Sequence, residues 1–195
     1  MKTTVFWLCI IATVWWYVGR EDKVTLGAGV RVVDAPYQSK IRGIKPFEFK
    51  GSKITPLANI DLKAKILSKE NYSFDEGASL SPVDLALGWQ NMSDEKILDS
   101  IEISQSGRFY RWRVNEFPIP RKEIQTQSAN MHLIPANDDV ENALKKVKKG
   151  QIISLSGYLV RADTGHRYWV SSLTRKDTGA GACELVYVNH LSVIN

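Results

Sequence analysis

A chain of 195 residues, 44% hydrophobic and 24% charged, has room for one globular core plus an appendage and is not a disordered or low-complexity sequence. Its 26 basic and 21 acidic residues leave a formal charge of +5, an excess too small to define a nucleic-acid-binding surface by itself. Of the two cysteines, Cys9 lies in the N-terminal apolar run and Cys183 is left as the single thiol of the rest of the chain, so no internal disulfide and no cysteine zinc cluster is expected there.

From Thr3 to Gly19, "TTVFWLCIIATVWWYVG", no residue is charged. A helix there spans about 25 Å, slightly short of a bilayer core. Trp15, Trp16 and Tyr17 gather at its far end as an interfacial aromatic belt, while Lys2 and the α-amine put positive charge on the near side. This pattern predicts an N-terminal transmembrane signal-anchor over residues 1–19, inserted in the bacterial inner membrane with the N-terminus cytoplasmic and all later residues extracytoplasmic. A cleaved signal is disfavoured because bulky Trp and Tyr stand where small residues are needed before the cut.

Residues 20–43 mix glycine, charge and short valine pairs, which reads as a stalk and entry strand ahead of the domain at 44–195. Ile60, Leu62, Ala64 and Ile66 alternate with Asp61, Lys63 and Lys65, the period of a half-buried strand. Ser81, Pro82 and Asp84 together resemble a helix start that Gly88 stops, and Ser93 with Asp94 and Glu95 opens a second short helix. "RFYRWRV" from Arg108 returns to strand-forming residues. The third helix is the clearest, in "ANDDVENALKKVKKG": Asn137 caps it, acids fill its first turn, lysines its last, and Gly150 follows. Three more strands follow, in "QIISLSGYLV", "RYWVSSLT" and "CELVYVNHLSVI". The sum is an α+β domain, an antiparallel sheet or a small OB-like barrel with three short helices.

Four segments, "SPVDLALGWQNMSD", "ISQSGRFYRW", "SANMHLIP" and "SSLTRKDTGAGACELVYV", resemble a group of uncharacterised bacterial proteins with a short N-terminal membrane segment. The resemblance covers about Ser79 to Val188. It implies an envelope-facing bacterial protein and carries over neither an activity nor any functional residue.

Two Asp-Thr-Gly triplets, at 163–165 and 177–179, raise the possibility of an aspartic protease. That chemistry needs one such loop on each of two lobes with an apolar strand before it. Here Arg161, Arg175 and Lys176 stand nearby and only fourteen residues separate the aspartates, so both triplets read as turns. Ser128 and His132, with Asp84 or Asp163, supply residue types for a nucleophile, base and orienter, but no glycine-flanked elbow surrounds Ser128. The histidines at 132, 166 and 190 have no paired metal spacing, and no cofactor is implied. "GRFYRWRV" is the best binding candidate. On a strand, Arg108, Tyr110 and Trp112 share one face while Phe109, Arg111 and Arg113 share the other, so aromatic and guanidinium groups mix on both. Asn130, His132, Trp169 and Arg175 complete the candidate ligand-binding set. The expected function is a membrane-anchored, non-enzymatic binding or accessory module, with an envelope protein or glycan as partner. A cell-envelope hydrolase using His132 with Ser128 or Cys183 is the first alternative and an OB-type nucleic-acid-binding domain the second, with nucleic acid disfavoured by the charge.

Overall fold

The computed structural model of the chain describes Trp7, residues 23–177, Gly179 and residues 181–194. The anchor read over residues 3–19 lies outside the described residues, Trp7 apart, and no described helix is long and apolar enough to cross a membrane. The domain is mixed and dominated by its sheet. In chain order the elements are β1 (Tyr37–Lys40), β2 (Phe47–Phe49), β3 (Ser52–Asn71), β4 (Val83–Gly88), a 3₁₀ turn (Gln90–Ser93), α1 (Glu95–Leu98), β5 (Glu102–Ser106), β6 (Phe109–Arg113), α2 (Arg121–Thr126), β7 (Ser128–Pro135), α3 (Asp138–Lys146), β8 (Ile152–Asp163), β9 (Tyr168–Val170) and β10 (Glu184–Val193).

Strand pairings run β3 to β4, β4 to β7, β7 to β10, β10 to β8 and β8 back to β3, so the sheet closes on itself. The twenty-residue β3 takes part at both ends of this ring. Register shifts at Pro56/Ala58 and Ile66/Ser68 mark where bulges let it curve, and Pro56 sits at the first of them, where a missing ladder donor is tolerated. The sheet is not purely antiparallel as expected from the sequence. β7 and β10 run parallel, because α3 and β8 intervene and bring the chain back to the same end.

The alternation predicted in β3 is real: Ile60, Leu62, Ala64 and Ile66 face a core shared with Leu85, Leu87, Met131, Leu133, Leu155 and Val186. Val140, Leu144 and Val147 of α3 and the turn after it join the same core. Asn137 Oδ1 accepts from Val140 N at 3.0 Å, the cap the sequence predicts. Asp94 likewise caps α1 through Lys96 N at 2.9 Å.

One predicted helix is a strand. Val83–Gly88 is β4, buried along its whole length. Its period of two is masked because both faces are covered: Val83, Leu85 and Leu87 point into the ring, while Asp84 and Ala86 lie under other elements. The Ser81–Asp84 pattern is therefore no helix cap, and Pro82 simply precedes the strand. In its place the third helix is α2, which starts after Pro120 in a segment the sequence left unassigned.

Residues 24–32 lie against the ring as an extended strap. Val24 N donates to Lys149 O at 2.8 Å and Val32 N to Ser93 Oγ at 3.0 Å. Leu26 N and Gly27 N donate to the two oxygens of Glu95, at 2.8 and 3.0 Å, and Lys65 Nζ reaches the first of these at 2.8 Å. The strap passes so close to Gly150 that a Cβ there would meet Val24 O at 1.8 Å. Gly150 therefore serves this crossing, while α3 itself ends at Lys146 with Val147 as its cap.

Candidate functional site

The β5–β6 hairpin turns through Gly107 and Arg108, with φ of 56° and 71°, while Ser106 pairs with Phe109. Two positive φ values in a two-residue loop are the hairpin geometry that matches strand twist. The turn aims the Arg108 side chain back onto the β3–β4 loop. Its guanidinium grips Asp75 with Nε and Nη2 at 2.8 and 2.7 Å, and gives Nη1 to Ser81 O and Asp84 Oδ1, both at 2.9 Å. It also lies 3.7 Å above the Tyr72 ring and 5.6 Å from that of Trp169. Arg108 is thus a pin for the hairpin, its donors already engaged.

The other oxygen of Asp84 lies 2.8 Å from His132 Nδ1. Both residues are buried, and the His132 ring rests against Trp169 with centroids 4.5 Å apart. A carboxylate does orient a histidine here, but among the described residues no serine or cysteine is hydrogen-bonded to its ring. Ser128 stands four residues away along one strand, roughly 13 Å. Its hydroxyl donates to Ile124 O at 2.7 Å and receives that of Tyr110 at 3.2 Å. Cys183 lies beside Asn130 instead, 3.7 Å from Nδ2, and burial pushes its thiol pKa up, away from a reactive thiolate.

Within the hairpin, Tyr110 and Trp112 face a core with Leu67, Met92 and Ile124, while Phe109, Arg111 and Arg113 face outward. The two faces therefore separate into core and surface. Arg113 pairs with Glu102 across the hairpin, fully in solvent, where such a pair has little energetic weight. Burial raises the Tyr110 hydroxyl to about 12, so it stays protonated.

A cleft of about 480 Å³ opens between the start of β7, the β5–β6 hairpin and the loop leading into β10. It gathers five of the nine residues of the candidate ligand-binding set, Tyr110, Arg111, Trp112, Asn130 and Arg175, together with both candidate nucleophiles, Ser128 and Cys183. Arg108 and Trp169 instead line a separate cleft of about 490 Å³ with Asp75 and Tyr168. Arg113 borders a third hollow, and His132 lines none of these. At the first cleft Asn130 is fully used: its Nδ2 donates to Arg108 O and its Oδ1 accepts from Gln105 Nε2, at 3.1 and 2.7 Å.

Glu184 was not apparent from the sequence. It lines the same cleft, is 1% exposed, and receives Arg175 Nη1 at 2.8 Å on Oε1. Arg175 Nη2 goes to Gln38 Oε1 at 3.0 Å, which ties the loop to β1. Glu184 Oε2 and Arg175 Nε, both buried, have no hydrogen-bond partner among the described residues. Burial lifts the Glu184 carboxyl to about 7, only partly opposed by the Arg175 charge. The one sequence signal for this residue was parity: Glu184 shares a strand face with Val186 and Val188, which belong to the core.

The first Asp-Thr-Gly forms the β8–β9 turn, with Gly165 N donating to Asp163 Oδ1 at 3.0 Å and Thr164 N to Arg167 O at 2.9 Å. In the second, Asp177 accepts the Ser172 hydroxyl at 2.7 Å. No cluster of His, Cys, Asp and Glu that could hold a metal occurs among the described residues. Comparison of the chain with protein-family models, with curated proteins and with solved structures finds no match in any of the three.

Proposed function

We propose that this chain is a non-enzymatic binding module with an OB-type barrel, held at the bacterial inner membrane by residues 3–19 and facing the cell envelope, and that its ligand occupies the cleft between β7, the β5–β6 hairpin and the loop before β10. The order β3-β4-β7-β10-β8 around the ring, the parallel β7–β10 pair and a helix between β7 and β8, the third and fourth barrel strands in chain order, support an OB-type assignment. Barrels of this type take ligands on the second and third strands and the adjoining loops. The cleft uses the third strand, β7, and the loop leading to the fifth.

The observation that carries the reading is the pair of unpartnered buried atoms at the cleft, Glu184 Oε2 and Arg175 Nε. Leaving a buried polar group unsatisfied costs about 1–3 kcal/mol, so a ligand that supplies both partners recovers that penalty on binding. No nucleophile and base meet there, and the polar groups suit recognition.

The test is an NMR titration of the full-length chain in detergent with three small probes: N-methylacetamide, a methyl glucoside and thymidine monophosphate. At least one is expected to shift the Arg175 Nε–H and Trp112 indole resonances, and the response should weaken about tenfold in Glu184→Gln. If none of the three moves a cleft resonance, the binding-site reading falls. A reporter enzyme fused after residue 195 tests orientation separately, and activity confined to the cytoplasm would remove the envelope-facing placement.

A further inference from the structure

The β7–β10 ladder does not begin where β7 begins. Its first pair is Met131↔Glu184, whereas β7 pairs with β4 from Ser128 onward. Ser128, Ala129 and Asn130 are thus laddered on one side only; among the described residues no strand pairs with them on the side facing β10. The cleft lies in this fork, with those three residues along one wall and Cys183 and Glu184, where β10 diverges, along the other.

A free strand edge presents backbone N–H and C=O groups at fixed spacing, and an extended peptide satisfies them by adding a strand. Each non-proline peptide residue also carries one donor and one acceptor on its main chain. The fork needs both beyond the edge itself, because Glu184 Oε2 is an acceptor when ionised and Arg175 Nε a donor. Three residues of edge correspond to about 10 Å of strand, enough for a short peptide segment.

The rim adds a charge preference. Arg111 and Arg121 line the cleft and are exposed, and Arg121 has no hydrogen bond or ion pair among the described residues. Arg111 donates only to Ser106, from its Nη1. The lining carries three arginines, Arg111, Arg121 and Arg175, against two acids; Asp177 keeps its charge while accepting from the neutral Ser172 hydroxyl and Glu184 is paired with Arg175, so the cleft is left basic by one charge. An acidic side chain on the incoming segment would meet these guanidinium groups.

We propose that the fork between β7 and β10 binds an extended acidic peptide segment, added as a short strand along Ser128–Asn130, with a peptide N–H on Glu184 Oε2 and a peptide carbonyl on Arg175 Nε. This rests on the reading of the cleft as a ligand site and names the ligand class. The experiment offers the full-length chain in detergent an acetylated, amidated peptide of alternating Ala and Glu, the matching Ala and Lys peptide, chitotetraose and oligothymidylate. The Ala-Glu peptide is expected to bind, to slow amide exchange at Ala129 or Asn130, and to outbind the Ala-Lys peptide. Glu184→Gln should weaken it about tenfold, the scale of one lost hydrogen bond to a charged group. Arg121→Ala should weaken it about threefold, as an exposed charge contact does.

Should Glu184→Gln fail to fold, the exposed Arg121→Ala substitution and the exchange footprint decide. A peptide that fails to bind, or that binds without protecting either edge amide, overturns the proposal. If chitotetraose or oligothymidylate instead gives the Glu184-dependent signal, the peptide class is wrong while the ligand cleft stands. If no probe reaches the cleft, both readings fall together.

Discussion

Arg175 and Glu184 meet at 2.8 Å in the wall of a solvent-connected cleft, and each nonetheless keeps one buried hydrogen-bonding atom without a partner among the described residues. An ion pair formed only for stability would be expected to satisfy itself on both sides, as Lys65 and Glu95 do with the help of the strap. Lys65 and Glu95 also border a hollow, the one that Arg113 lines, but there both Glu95 oxygens are taken by the strap and Lys65, whereas Arg175 and Glu184 each keep an atom unpaired among the described residues.

The Glu184 carboxyl has a folded-state pKa of about 7 against an ordinary 4.5, so the folded chain holds its proton more tightly than the unfolded one. Stability from this group is then full below about pH 4.5 and declines as pH rises to about 7, by on the order of 3 kcal/mol. Melting curves of the native chain and Glu184→Gln across pH 4 to 8 should diverge in that window, with the variant losing less. Parallel curves would show that folding leaves the Glu184 pKa unshifted.

Glu95 behaves oppositely. Burial raises its pKa, but hydrogen bonds from Lys65, Leu26 and Gly27 outweigh this and leave it at about 2. Its contribution is present above about pH 4.5 and is lost as pH falls through about 2. Glu95→Leu leaves Lys65, 1% exposed, as an unpaired buried charge, a loss of about 3–5 kcal/mol. Lys65→Met should cost less, because the carboxylate keeps both strap amides. Hydrogen exchange at Leu26 and Gly27 should quicken in Glu95→Leu; unchanged exchange there would detach the strap from this pair.

Arg108 holds a positive φ that non-glycine residues rarely adopt, and its side chain is what makes the conformation worthwhile. Arg108→Lys loses the forked contact with Asp75 and weakens the stack on Tyr72, and is expected to destabilise by about 1–3 kcal/mol. Arg108→Ala also leaves Asp84 with only His132 and should cost more, about 3–5 kcal/mol. Denaturant midpoints order the two variants. A melt unchanged by Arg108→Ala would mean that the hairpin tip is held by something else.

Much of the scaffold was legible because local signals and burial agree: the alternation in β3, the Asn137 cap and the final strands are all found where the residues point. β4 was misread because "VDLALG" is covered on both faces, which erases the period that distinguishes a strand from a helix. The site was legible in its residue types only. "GRFYRWRV" supplies the hairpin strand that borders the candidate cleft, yet a positive φ at residue 108 removes Arg108 from the strand and makes it a pin. The role of Glu184 depends on where β10 leaves β7, a pairing between segments more than fifty residues apart that no local pattern encodes.

The second Asp-Thr-Gly supplies the last test of turn against protease. Gly179 has φ +89° with nothing within 4 Å of an added Cβ, so a side chain there meets no clash and the cost of substitution is backbone strain alone. Gly179→Val should therefore destabilise by roughly 1–3 kcal/mol, the penalty for a β-branched residue at positive φ. Asp177→Asn should be mild, because an amide oxygen can still accept the Ser172 hydroxyl that now reaches Oδ2 at 2.7 Å. An aspartic protease predicts the reverse order: the Asp177 variant would lose all cleavage while remaining as stable as the native chain, and Gly179→Val would matter only through folding. Thermal melts of both variants, run beside a peptide-cleavage assay at acidic and neutral pH, separate the two. Cleavage that pepstatin blocks and Asp177→Asn abolishes would overturn the turn reading and, with it, the non-enzymatic assignment of the whole domain.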